Sequence, residues 1–517
     1  MSKALQVWLL VILVSLVVGE ASAQSFRVQC PSSTITHPAT IRNNNSEPDY
    51  TGPTSLTLGS NGYLVPSAKV NGAIKCQQIS GGDGFATMAD GTQTYMFSFG
   101  PLSGLADISN GLPGTQFPTV FNTVYSGTTP LQAGDPATTV VDNSGSFVFN
   151  GAVGQVPDLD NGGIIDGHVD PRTIMDVGVM NGNIPAPLMA IDEDDEYFLT
   201  LSNVGMIMRP DLFEQHTVHF HGYPNASAFY DGVPDASVAI NIGGSFTYYY
   251  LAPDAGTYFW HCHITPPEHL QMGMVGQLYV RPRQNRVPAG SSLYSALLSQ
   301  QSDLRTACNS NDILCSNPLP AVNTGASGGG KYAYNDGDGS TAYDVEYPLQ
   351  IHGFDPNFHF VGMTFNPEDF ADMKDKYFLL NGRSYPDTVS AGPLATETAD
   401  GKNHFSQPLP SIISMTSGQK ALLRISDLDV TEYQTLASLG IRMHVVGYNA
   451  KLLRDQSGNN MDYYTNSITL AGGESLDVIL DSNGVPKGTY YLYTPQLDHL
   501  SNDAENFGGL MTEVRIN

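Results

Sequence analysis

Nineteen residues, "GTYFWHCHITPPEHLQMGM" from 256 to 274, hold three histidines, one cysteine and two methionines, and "HTVHFHGYPN" from 216 to 225 adds three more histidines. Side chains two apart on a strand share a face. His219 and His221 therefore project together while Phe220 turns away, and His261 and His263 project together with Cys262 on the opposite side. Such a strand can offer its thiolate to one metal ion and its imidazoles to another. The thiolate's own site needs two further imidazoles and a weak axial donor to form a trigonal soft-ligand centre, and His216, His269 and Met274 are the available donors. Sulfur with imidazole suits a copper that cycles between two oxidation states. Zinc accepts the same ligands but has no redox chemistry.

The compartment bears on that thiol. Lys3, an apolar run from Val7 to Val18 and the small residues Ala21-Ser22-Ala23 before Gln24 read as a secretory signal peptide over 1–23. The protein is thus expected to be exported, periplasmic or extracellular. No later stretch nears the roughly 20 apolar residues of a spanning helix, so no membrane insertion is expected. Of five cysteines, Cys262 is the natural one to be left over when Cys30 with Cys76 and Cys308 with Cys315 form bridges. Four cysteines allow three connectivities, so spacing does not choose among them. A net charge of -27 argues against nucleic acid and anionic lipid as partners.

The elements that must hold these residues read as strands. "EYFLTLSN" (196–203), "SFTYYYLA" (245–252), "KALLRISD" (420–427) and "SLDVILDS" (475–482) alternate as half-buried strands do, and Gly, Asn, Asp and Pro clusters lie between them. The order "MNGNIPAP", "HTVHFHG", "GGSFTYYY", "GTYFWHCH" recurs as "LNGRSYP", "MHVVGYN", "GGESLDV", "GTYYLYTP". An all-β chain of tandem β-sandwiches follows. The expected division is an N-terminal extension over 24–90, a first sandwich over 91–283 with an insertion at about 102–172, a linker over 284–345 and a second sandwich over 346–517.

The motifs "NGNIPAP", "HFHG", "DGVP" and "GTYFWHCH" resemble the multicopper oxidase family, whose domains are cupredoxin-like Greek-key sandwiches. The run 180–283 looks like a first cupredoxin domain of that family. Cys262 between the last two histidines is a departure from most such first domains and is similar to two-domain multicopper oxidases and copper nitrite reductases. The resemblance implies type 1 copper on His216, Cys262, His269 and Met274. It implies half of an interdomain cluster, of type 2 and type 3 copper, on His219, His221, His261 and His263, with Asp231 of "DGVP" as a proton-relaying acid; a simple turn aspartate is nearly as good a reading of Asp231. Met272 and Trp260 read as packing residues. His37, His168, His352, His359 and His404 stand alone and read as surface or capped histidines.

Aligning the two repeats through their glycines sets His444 opposite His219 and Val446 opposite His221, and Tyr493, Thr494 and Pro495 opposite His261, Cys262 and His263. The second copy has lost nearly every ligand, with His444 either a further ligand or a core residue. The resulting expectation is an exported copper oxidoreductase. Electrons would pass from a reduced organic or metal-ion donor, through type 1 copper, to a histidine-bound site and on to dioxygen. By resemblance, shared sites favour a homotrimer. A nitrite reductase-like enzyme is the runner-up, with His219 standing where those enzymes carry a catalytic aspartate. A non-catalytic electron-transfer or copper-holding protein is the third reading.

Overall fold

The structure, a computed structural model, describes residues 27–41, 45–124, 150–223, 227–252, 254–303, 317–364 and 369–517. The signal segment, part of the insertion and the Cys308/Cys315 segment lie outside the described residues. Among the described residues no helix is long and apolar enough to cross a membrane. The fold is mostly β, built from mixed sheets.

In the first half, one sheet runs Gln93–Pro101, Ile74–Thr87, Glu196–Gly205, Ser245–Leu251, and the other runs Met189–Asp192, Val275–Arg281, Gly256–His261, His219–His221. Their inner faces meet in a core that includes Phe97, Phe99, Leu199, Leu201, Phe220, Tyr250, Trp260 and Leu278. The stretches 196–203 and 245–252 form the strands expected of them. Ile74–Thr87, inside the expected extension, is instead a central strand, paired with Gln93–Pro101 on one side and Glu196–Gly205 on the other. Its glycines are close approaches rather than turns. A Cβ at Gly82 would press on Val204, and one at Gly84 on the backbone of Gly182. The Cys30–Cys76 disulfide joins the extension to this strand, and His37 pairs with Glu196 at 2.7 Å.

The second half repeats the plan. One sheet runs Tyr377–Leu380, Val345–Phe354, Lys420–Asp427, Glu474–Asp481, Met443–Tyr448, and the other runs Ile413–Met415, Met511–Ile516, Gly488–Tyr493, Gln434–Leu439, Ser467–Leu470. Its own apolar core includes Leu349, Leu423, Leu436, Val445, Val478, Leu492 and Val514.

The outer face of the first half's histidine-bearing sheet packs on the second half. Gln277 donates to the Arg424 carbonyl at 2.8 Å and Thr257 to Asp477 at 2.6 Å. Arg281 and Arg424 both hold Glu346, at 2.7 and 3.0 Å. The segment expected as a linker is packed rather than loose. It carries the helix Leu293–Gln300, and Arg283 and Arg286 just before it pair with buried Asp194 at 2.6 and 3.3 Å.

Candidate metal centre

Gly256–His261 pairs with His219–His221 so that His219 faces His261 and Phe220 faces Trp260. The alternation read from sequence holds: Phe220 and Trp260 enter the core, and the imidazoles of His219, His221 and His261 come together on the outer face. Cys262 turns inward and is fully buried.

On the inner side, His216, Cys262 and His269 bring one nitrogen or sulfur each within 4.8 Å of one another. His269 Nδ1 lies 3.2 Å from the sulfur and the Thr217 N–H donates to it at 3.4 Å. The Thr217 hydroxyl accepts from the His263 N–H at 2.9 Å, tying the two histidine stretches together. His269 Nε2 points to Glu214 Oε2 at 3.5 Å. Met274 is buried, and its carbonyl accepts from the Cys262 N–H at 3.2 Å.

Burial alone would raise the Cys262 thiol, but the facing His269 and the neighbouring His216 outweigh it and hold the thiol well below its usual range. Burial lowers His269 less than the thiolate and Glu214 raise it, so it is pushed up to about 10. Each group favours the charged form of the other, thiolate beside imidazolium. Buried His216 has no hydrogen-bond partner other than the facing Cys262 sulfur, an expensive arrangement for a polar group out of water. A soft thiolate, two imidazoles and an orphaned nitrogen fit a copper ion.

On the outer side, His219 Nδ1 bonds the Asp231 carbonyl at 2.6 Å and His261 Nδ1 bonds the Cys262 carbonyl at 2.8 Å. A carbonyl accepts only from N–H, so these contacts fix both tautomers and leave each Nε2 free to ligate. His221 Nδ1 lies 3.5 Å from His261 Nε2. Burial pushes His261 down to about 3 and also lowers His219 and His221, which keeps all three neutral as metal ligands must be. His263 stands beside this group, its ring 5.1 Å from that of His219.

A cavity of about 550 Å³ opens over the imidazoles. His219, His221, His261 and His263 line one wall; Asp429, Thr431, Glu432 and Tyr433 of the second half line the other. Asp231 is not among the lining residues; its carboxylate lies 3.6 Å from His219 Nδ1.

His444 is not brought to this group. It sits on Met443–Tyr448, in the sheet formed with Glu474–Asp481, paired with Asp462 at 2.7 Å and stacked on Tyr464. The glycine alignment chose the wrong strand. The second-half partner of the "GTY" strand is Gln434–Leu439, where Ala437 faces Tyr493 as His219 faces His261. Sequence reasoning missed Glu214, Thr217, Asp375, Asp429 and Thr431. Of these Thr217, inside the 216–225 motif, and Glu214, two residues before His216, carried a signal by position; the other three did not. His37, His352, His359 and His404 are buried and bonded to carbonyl or carboxylate oxygens, hence capped rather than surface residues. Met272 and Trp260 pack in the core.

A β-sandwich with a His-Cys-His group inside and a three-histidine group outside offers two donor sets of the kind that hold copper. Residues 166–285, which contain both groups, match the family model for multicopper oxidase. The chain is 31% identical over 128 residues to laccase abr2 of Aspergillus fumigatus, covering 24% of this chain and 20% of that protein. It is 34% identical over 109 residues to a copper-containing nitrite reductase of Rhizobium meliloti, covering 20% and 26%. The chain thus spans about a fifth to a quarter of the length of these curated relatives. The crystal structure of a blue copper oxidase from Nitrosomonas europaea aligns over 85% of each chain at 17% identity, with a TM-score of 0.48.

Proposed function

We propose that the protein is an exported oxidoreductase of multicopper oxidase type that takes electrons from a reduced organic or metal-ion donor and passes them to dioxygen. One observation carries this reading: Cys262 and His261 are adjacent in the chain yet belong to groups on opposite faces of the sheet, and the Cys262 carbonyl bonds His261 Nδ1. A single peptide therefore links the two groups by a short covalent path. His216, Cys262, His269 and Met274 would hold type 1 copper, and His219, His221 and His261, with His263 beside them, a second site. Copper at these sets would supply one-electron redox chemistry at the first and reduction of a small acceptor at the second.

The surrounding residues have definable tasks. The Thr217 N–H stabilises the thiolate, Glu214 faces the outward nitrogen of His269, and the Asp231 carbonyl orients His219. The cavity admits water and a diatomic molecule, with His261 buried at its floor and His221 open to solvent.

A nitrite reductase-like activity is a second reading, favoured by a group of three histidines that the second half does not complete among the described residues and by the similarity to the Rhizobium meliloti enzyme. Copper analysis with electron paramagnetic resonance and oxygen uptake separates the readings. Two or more coppers per chain with uptake from a phenol, Fe(II) or Mn(II) supports the oxidase. One copper and no uptake sinks it in favour of an electron carrier, and nitric oxide release from nitrite supports the second reading.

A further inference from the structure

The cavity wall opposite the histidines bears carboxylates. Asp429 lines the cavity, and the Thr431 hydroxyl sits between it and Asp375, with Oγ1 2.9 Å from Asp429 Oδ1 and 2.5 Å from Asp375 Oδ2. A hydroxyl has one hydrogen and can donate to only one of them. The other short contact needs a hydrogen from the carboxyl side. The remaining positions are taken by donors that suit carboxylate oxygens: Gln271 Nε2 at 2.9 Å on Asp375 Oδ1, the Thr431 and Glu432 N–H groups at 2.8 and 3.2 Å on Asp429 Oδ1, and Gln434 Nε2 at 2.7 Å on Asp429 Oδ2. A Cβ on Gly353 would collide with both carboxyls, so the glycine is what lets them approach.

Among the described residues, no lysine or arginine pairs with Asp375 or Asp429. The other titratable neighbours are Asp427, with Glu474 beyond it, and His352, which burial pushes down toward neutrality. Glu432 and His499, paired at 3.2 Å, reach Asp429 through Gln434.

We propose that Asp375 and Asp429 share one proton at neutral pH and that Asp429 delivers protons to the acceptor reduced in the cavity, with Asp375 as its positioning partner. Proton delivery rests on the oxidase reading above. Reduction of one dioxygen to two waters consumes four electrons, supplied by the donor, and four protons. The pair releases one proton at a time and regains it from water in the open cavity. Burial, with the Asp429 charge, pushes Asp375 well above the usual carboxylate range, in keeping with a held proton.

Infrared pH-difference spectroscopy on metal-free protein reads the pair without turnover. The expected result is a protonated-carboxyl band at pH 7 that Asp375→Asn and Asp429→Asn both abolish, Thr431→Val shifts and Asp427→Asn leaves in place. On copper-loaded protein, Asp429→Asn should lower oxygen uptake about 100-fold and raise the solvent deuterium isotope effect, with donor reduction of the blue band within about two-fold of wild type. Absence of that band, or unchanged uptake in Asp429→Asn, overturns the pair. A wild type that keeps the band yet takes up no oxygen overturns instead the oxidase reading and, with it, proton delivery.

Discussion

In the first half, the "GTY" strand pairs with His219–His221, and His219 faces His261; in the second half the corresponding strand pairs with Gln434–Leu439, and the same two places hold Ala437 and Tyr493. Four strands of each sheet share one order, down to the parallel pair formed by Ile74–Thr87 with Glu196–Gly205 and by Val345–Phe354 with Lys420–Asp427, and the second half adds Met443–Tyr448 to one sheet and Ser467–Leu470 to the other. The frame survives without the ligands because it is held by strand pairing and by an apolar core on the opposite face of each sheet. Ligands cost polar burial and constrain rotamers, so positions that hold no ligand are free to vary. What the second half supplies is a wall: Asp429, Thr431 and Glu432 close the cavity that the first half's histidines open into.

Removing the sulfur should have the largest effect. Cys262→Ser is expected to abolish the intense visible band and to lower donor oxidation by more than the roughly 100-fold that loss of an outer-shell contact costs. Absorption and copper analysis check it; a variant that stays blue would mean the thiolate is not the ligand. His221→Ala tests the other face. It should keep the blue band, lose one copper signal in electron paramagnetic resonance and lose oxygen uptake. Loss of both signals together would show that the two faces are not separable sites.

The contact between halves comes next. Glu346 of the second half is held by Arg281 of the first and by Arg424. Burial opposes its charge, but the two guanidinium groups outweigh burial and push its pKa down from 4.5 to about 2. A carboxylate with a depressed folded pKa stabilises above its unfolded pKa and loses that contribution as pH falls through the folded one. Glu346→Gln should therefore cost about 3 kcal/mol at pH 7 in chemical denaturation, a penalty that shrinks between pH 4.5 and about 2. An equal penalty at pH 7 and pH 2 would argue that packing, not charge, holds the halves together.

Sequence periodicity exposed what depends on neighbours two residues away. The four alternating stretches are strands, and the inward thiol and outward imidazoles follow from one strand's alternation. Ile74–Thr87 was hidden because "SGGDG" reads as a turn, whereas its glycines admit Val204 and the Gly182 backbone at close range. Gly81 likewise makes room for His216, whose Cδ2 would lie 2.8 Å from a Cβ there. Asp375 and Asp429 were illegible for a different reason. They are 54 positions apart in the numbering, in segments with no repeat motif, and only the return of the chain past Gly353 sets them together.

His444 carries the smallest expected effect and the finest test of the comparison. Its Nε2 is spent on Asp462 and its ring lies 4.3 Å over Tyr464 at 7°. A partly exposed contact to a carboxylate and one ring stack are together worth about 1 kcal/mol. His444→Ala should therefore lower stability by about that amount and leave copper content, visible absorption and particle size unchanged. The opposite outcome is informative. If the variant lost the copper signal that His221→Ala also loses, the imidazole would have to reach that site from a neighbouring copy, because within one chain it lies on the sheet strand beyond Glu474–Asp481. The first half's histidines would then be completed between chains, and the wall that the second half builds over them would have to open for assembly.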